Sequence, residues 1–264
     1  MTYPRKFIHY TALLLSALLL SFAAKATVVE VRTVVGDFQI NLFDEDTPQT
    51  VQNFLDYVNS GAYANNVVHR SVSGFIVQAG GFEYNGTVTT DGSPPLDNVP
   101  TGASVTNEPE LSNVRGTIAM AKIGGQPNSA TSQWFINLDN NSANLDTQNA
   151  GFTVFGQVLG NGMQVVDAIS AIQTFNFGGA LTDLPLRNFS STNTTVTDDN
   201  LVIITDIVVI DAATVTNPDL TPVRNTLINA PTPPPDNSGD SSGGSIGVWL
   251  LLLAFAIRVV PLRR

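Results

Sequence analysis

The chain contains no cysteine and only two histidines in 264 residues. The first absence excludes disulfides, zinc-thiolate sites and thiol nucleophiles together. Of the two histidines, His9 lies in the first ten residues, which leaves His69 alone in the body of the chain. A lone histidine cannot build a clustered metal site, so no metal is expected. Basic residues are scarce as well. Arg5, Lys6, Lys25, Arg258, Arg263 and Arg264 belong to the terminal segments, so six of the twelve cations face all 22 acids between Thr27 and Gly244. Phosphate binding needs basic patches, and nucleic acid is therefore not an expected partner. G-x-G-x-x-G, G-x-x-x-x-G-K-[ST] and G-x-S-x-G do not occur, which removes the usual signatures of nucleotide cofactors and of a serine nucleophile. No cofactor is expected. The stretch Asp139 to Asp146, "DNNSANLD", lacks the glycine and glutamate of a calcium loop and reads as a polar turn.

What is present begins with two signals at the ends. Arg5 and Lys6 precede the apolar run "TALLLSALLLSFAA", and Ala24-Lys25-Ala26 has the A-x-A form of a signal-peptidase site. Residues 1–26 are read as a removed export signal, with a retained anchor as the alternative. At the other end, residues 213–242, rich in Pro, Ser, Gly and Asp, read as a linker. Residues 243–264 follow, with Gly243-Gly244, the apolar segment "IGVWLLLLAFAI" and a basic end. This tail resembles the GlyGly-type carboxy-terminal sorting signals of Gram-negative bacteria. The resemblance implies a rhomboid-like sorting protease as a partner, membrane contact before processing, and delivery to the cell surface; a permanent membrane anchor is the alternative.

Between these signals, 27–212 is expected to form one domain. The 43% hydrophobic content of the full chain is enough for a sizeable core. "VVEVRTVVGDFQINLF" alternates about Gly36-Asp37, with Phe38, Ile40 and Leu42 on one face and Gln39 and Asn41 on the other, which predicts a β-hairpin. In "TPQTVQNFLDYVNSG", Thr47 takes the N-cap, Pro48 the first helical position and Gly61 the exit. Val51, Phe54, Leu55 and Val58 form the apolar stripe. A second helix is expected at "MQVVDAISAI", and a last strand over Asn200 to Asp211. These elements suggest a mainly β protein, a closed antiparallel sheet with helices over its ends.

Three blocks, Ile40 to Phe82, Val105 to Asn141 and Leu145 to Ile169, are similar to the signature blocks of the cyclophilins, most of all to their bacterial periplasmic branch. The resemblance implies an eight-stranded antiparallel β-barrel closed by two α-helices, acting as a peptidyl-prolyl cis-trans isomerase on proline-containing polypeptides, as a monomer. It also places Arg70 as the catalytic arginine. Phe75, Ile76, Ala121, Phe135 and Leu145 match the apolar pocket, with Phe152 beside it, and Gln78 and Gln133 match the two glutamines. Without the resemblance, Phe75, Ile76 and Phe135 would read as ordinary core. His69, on the opposite strand face from Arg70, is expected to be structural, because isomerisation transfers no proton. Three positions depart from the commonest family pattern: Asn144 in place of a tryptophan, Phe152 in place of a histidine and Lys122 in place of an asparagine. Two loops, Glu83 to Ser104 and Thr174 to Asp199, differ from a minimal member in length or sequence. A proline-binding module without turnover, or a surface structural or adhesion protein, would be the other classes compatible with the chain.

Overall fold

The computed structural model describes residues 27–87, 92–190, 192, 195–212, 217 and 219–229. The expected export signal and sorting tail lie outside these residues. No helix among the described residues is long and apolar enough to cross a membrane.

The predicted hairpin forms from β1 (Val28–Thr33) and β2 (Phe38–Leu42), with Val31 opposite Phe38 and Val28 opposite Asn41. The residue just before it is held by two hydrogen bonds. The Thr27 backbone amide donates to Asp44 Oδ2 and its hydroxyl to Asp44 Oδ1, both at 2.9 Å. Phe38, Ile40 and Leu42 are buried as their spacing requires, but so is Asn41. It is covered by Asn217, whose side-chain amide donates to Asn41 Oδ1.

α1 (Pro48–Asn59) follows, and Gly61 takes the positive φ of 73° just beyond its end. Val51, Phe54 and Val58 are buried with Tyr57, while Leu55 is half-buried. Phe54 meets Tyr63, Trp134 and Phe155 at ring separations of 5.4, 6.5 and 5.1 Å. Burying side chains of this size contributes about 1.5–3 kcal/mol each. Thr47 stands at the N-cap position but makes no capping bond with its side chain. Glu108 supplies it instead, accepting from the amides of Gln49 and Thr50 and from the Thr50 hydroxyl.

The remaining strands of the main sheet are β3 (Asn66–Val67), β4 (Arg70–Val72), β5 (Ile76–Ala79), β6 (Phe82–Tyr84), β7 (Leu96–Asn98), β8 (Thr117–Met120), β9 (Trp134–Asn137), β10 (Val154–Val158) and β13 (Ile203–Asp211). They run in the order β4-β5-β9-β8-β10-β2-β1-β13-β3-β6-β7, with every pairing antiparallel. The result is a mainly β fold with a curled, half-barrel sheet. Eleven strands stand where eight were expected, for two reasons. The hairpin β6/β7 extends the order, and the segment Asn66–Val72 breaks into β3 and β4. Across that break Val68 N donates to Val202 and His69 N to Gln78, so one segment touches both ends of the curl. α2 (Ser142–Leu145) is a single turn, and α3 (Gly162–Ser170) is the second predicted helix, with Val166 and Ile169 buried. A small sheet, β11 (Thr174–Phe175) with β12 (Leu184–Pro185), packs Leu184 and Leu186 against Val67, Leu201 and Ile203.

Part of the expected linker is not free chain. Residues 220–228 lie along the body: Ser112 N donates to Val223 O, Asn225 N donates to Glu110 O, and Arg224 pairs with Asp46 at 2.7 Å. The reason is composition, since Leu220 and Ile228 give this stretch partly buried apolar side chains that the Pro/Ser/Gly tract after it lacks.

Candidate active site

Strand alternation sorts the central sheet into two faces. Val77, Trp134, Ile136, Ile118 and Met120 point into the main core. Their neighbours point outward and meet in one transverse row: Arg70 lies opposite Gln78, Gln78 opposite Phe135, and Phe135 opposite Ala119. Ile76 and Gln133, two residues along from Gln78 and Phe135, share that face. Ala121 sits just past the end of β8, its amide bonded to Gln133 O at 2.9 Å.

The far wall comes from outside the sheet. Leu145 closes α2, and Phe152 leads into β10 with its amide donating to Leu145 O. The rings of Phe152 and Phe135 meet edge to face at 5.8 Å. Ile76, Ala119, Ala121, Phe135, Leu145 and Phe152 thus form one apolar cluster, with half-buried Phe75 at its edge. The fold therefore assembles every site residue expected from the sequence on a single face. A groove of about 680 Å³ between α1 and residues 102–106 lies elsewhere and shares no residue with this face.

Arg70 is a buried cation beside the apolar cluster. Its Nε lies 3.4 Å from Asp183 Oδ2, while its buried Nη1 has no protein partner. Burial lowers its pKa and the Asp183 charge acts in the opposite direction; a guanidinium stays protonated under these conditions. Gln78 Nε2 donates to Gln133 Oε1 at 2.9 Å, which leaves Gln78 Oε1 without a protein partner next to Arg70 on the same rung. One edge of the guanidinium is thus held, and a donor remains unspent.

His69 is inert. It is buried, packs edge-on to Phe82 at 5.0 Å, and burial pushes its pKa down to about 4. The lowered value favours the neutral ring near pH 7. Lys122 is spent on partners within the fold. Its ammonium donates to Asn107 Oδ1 and to the carbonyls of Asn149 and Gly151, and it lies 4.8 Å from the centre of the Phe152 ring. Burial lowers its pKa to about 8.

Sequence reasoning missed Asp183 and Asp146. Asp183 reaches Arg70 from 113 positions away, placed by β12, and its carbonyl accepts from Ser71 N. Asp146 was read as part of a turn, but its buried carboxylate ties Ser112 and Asn113 beneath the pocket wall. Neither carries a local signal, because each acts on a residue brought close only by the fold.

Comparison with known proteins agrees with this geometry. The family model "Cyclophilin type peptidyl-prolyl cis-trans isomerase/CLD" matches residues 28–195. The peptidyl-prolyl cis-trans isomerase of Acinetobacter baylyi is 40% identical over 171 residues, 63% of this chain and 85% of that protein. Peptidyl-prolyl cis-trans isomerase B of Escherichia coli is 38% identical over 169 residues, 62% of this chain and 95% of its own length. Among solved structures, a Cryptosporidium parvum cyclophilin has the same fold, with a TM-score of 0.50 at 24% identity, covering 70% of this chain and 98% of that one. The match spans most of the described body and includes the whole transverse row, and the chain belongs to the cyclophilin-type peptidyl-prolyl cis-trans isomerases.

Proposed function

We propose that Arg70 is the catalytic residue of this isomerase and that Phe75, Ile76, Ala121, Phe135, Leu145 and Phe152 hold the proline ring while the preceding acyl group turns. Rotation about a peptide bond breaks amide resonance and meets a barrier of about 18–20 kcal/mol. Unaided X-Pro bonds take tens to hundreds of seconds. In the twisted transition state the prolyl nitrogen regains its lone pair. A fixed guanidinium N–H directed at that nitrogen stabilises the twisted state more than either planar one. Gln78 and Gln133 hold peptide backbone, and Asp183 anchors the far edge of the guanidinium. The observation that carries this reading is the rung Arg70–Gln78–Phe135–Ala119, which sets a partly unpaired buried cation beside an apolar wall.

The substrates in this reading are proline-containing segments of exported proteins, folding in the periplasm or at the cell surface. The leader over residues 1–26 and the apolar, basic tail over 243–264 support that location. The enzyme works as a monomer, and its tail is read by a rhomboid-like protease or retained as an anchor.

The test is exchange NMR of a short X-Pro peptide with the chain from Thr27 onward and its Arg70→Ala variant. A loss of tenfold or more in kcat/KM, about 1.4 kcal/mol of transition-state stabilisation, is expected. Equal catalysis by both proteins would remove Arg70 from the mechanism.

A further inference from the structure

The wall carrying Leu145 and Phe152 is made of strained chain. Asn149, Ala150 and Gly151 have successive positive φ values of 52°, 62° and 73°. Two of the three are not glycine, and such a run persists only where its surroundings over-determine it. Phe152 follows immediately, so whatever fixes this stretch also fixes the aromatic wall of the pocket.

Three sets of contacts do so. From the β8 side, Lys122 Nζ and Asn107 Nδ2 donate to the carbonyls of residues 149–151. From beneath, Asn113 Nδ2 donates both to Asp146 Oδ1 and to Phe152 O. The third set comes from the carboxy-terminal segment, beyond residue 195 where the family match ends. Asn225 Nδ2 donates to Asp146 O at 2.9 Å and to Pro109 O at 3.1 Å. Asn225 Oδ1 meanwhile accepts from Leu227 N and Ile228 N, a turn that brings Ile228 over Gly151. A Cβ at Gly151 would come 2.8 Å from Asp146 O, 2.8 Å from Pro109 and 3.3 Å from Ile228 Cδ1, which describes a closed cradle. Leu220, at the start of the segment, packs on the same apolar cluster as the pocket residues.

We infer that residues 219–229 are a strap belonging to the catalytic domain, and that Asn225 is a positioning residue for the proline pocket, acting through the Leu145–Phe152 wall. The inference rests on the pocket assignment above and extends it to a segment outside the family match. The strap's side-chain amide bridges two carbonyls on different loops, Pro109 on one side of the wall and Asp146 within it. Losing it frees the wall to move while Arg70, on the other side of the row, keeps its place.

The decisive measurement separates kcat from KM for an X-Pro peptide, using the chain from Thr27 onward and its Asn225→Asp variant. Aspartate keeps the acceptor for Leu227 N and Ile228 N, so the turn survives, but it presents oxygen to two carbonyls where the amide donated. KM should rise about threefold to tenfold, the effect of one hydrogen-bonded bridge, with kcat changed less than twofold. The Phe152 ring resonances should shift, while Leu227→Ser, at an exposed strap position, behaves like the parent. Asn225→Ala serves as the second variant if the aspartate protein does not fold, with the same expectation. Unchanged KM and unchanged Phe152 resonances in a folded Asn225 variant would overturn the inference. Unchanged catalysis in Arg70→Ala would instead strike at the pocket assignment on which it rests.

Discussion

Acidifying the protein should titrate His69, and the cost can be worked out from its surroundings. The ring is buried against Phe82 with Nδ1 unpaired, and desolvation is the largest cause of its lowered pKa; repulsion from Arg70 adds to it, while the bond with the Val67 backbone opposes it. In the unfolded chain a histidine titrates near 6.5, whereas in the folded one it titrates at about 4. Between those values the unfolded state binds a proton that the folded state refuses, so stability falls as pH drops from 6.5 to about 4 and is flat in this respect outside that window. At roughly 1.4 kcal/mol per pH unit, the full contribution is about 3 kcal/mol. The assay is denaturant unfolding at half-unit steps from pH 7.5 to pH 4, comparing the parent with His69→Gln. Carboxylates contribute equally to both proteins, so the difference between the curves isolates the imidazole. The parent should lose about 3 kcal/mol more than the variant across the window. Parallel curves would refute the reasoning, because they would mean the ring is solvated or paired in the folded state.

Two further outcomes follow from contacts between distant residues. Replacing Glu108 by alanine leaves the amides of Gln49 and Thr50 without their acceptor; it should cost about 1 kcal/mol and lower the melting temperature by about 2–4 °C, read by calorimetry. Lys122→Met strips the donor from Asn149 and Gly151. Because burial lowers the Lys122 pKa to about 8, the parent should gain stability as pH rises from about 8 towards 10.5, a gain the methionine variant lacks in unfolding curves over that range.

What could be read from the chain beforehand depended on periodicity. The hairpin and α1 follow from spacings of two or of three and four, which a local window contains. The pocket's role needed more than spacing, since buried Phe135 and Ile76 look like any core residues until their family pattern is considered. What escaped has one physical origin. Glu108 caps a helix that begins 60 positions earlier, Asp183 pairs with an arginine 113 positions away, and Asn217 covers Asn41 across nearly the whole domain. Each is a polar partner delivered by a loop, where no repeat announces it. The strap was read as linker for the same reason. Its docking depends on Asn225 and two aliphatic side chains, Leu220 and Ile228, finding complementary carbonyls and gaps, and a composition rule averages such specifics away.

The bonds at Thr27 have a consequence if the chain is cut at the A-x-A pattern of Ala24-Lys25-Ala26. In the uncut chain, the group that donates to Asp44 is an ordinary peptide amide joined to Ala26. A chain cut after Ala26 would begin at that very nitrogen, now an ammonium facing the same carboxylate. Charge-assisted hydrogen bonds are about twice as strong as neutral ones. The cut that removed the preceding residues would then also fasten the new first residue to the sheet, and the shortened chain would hold the start of β1, between β2 and β13, more tightly than the uncut one.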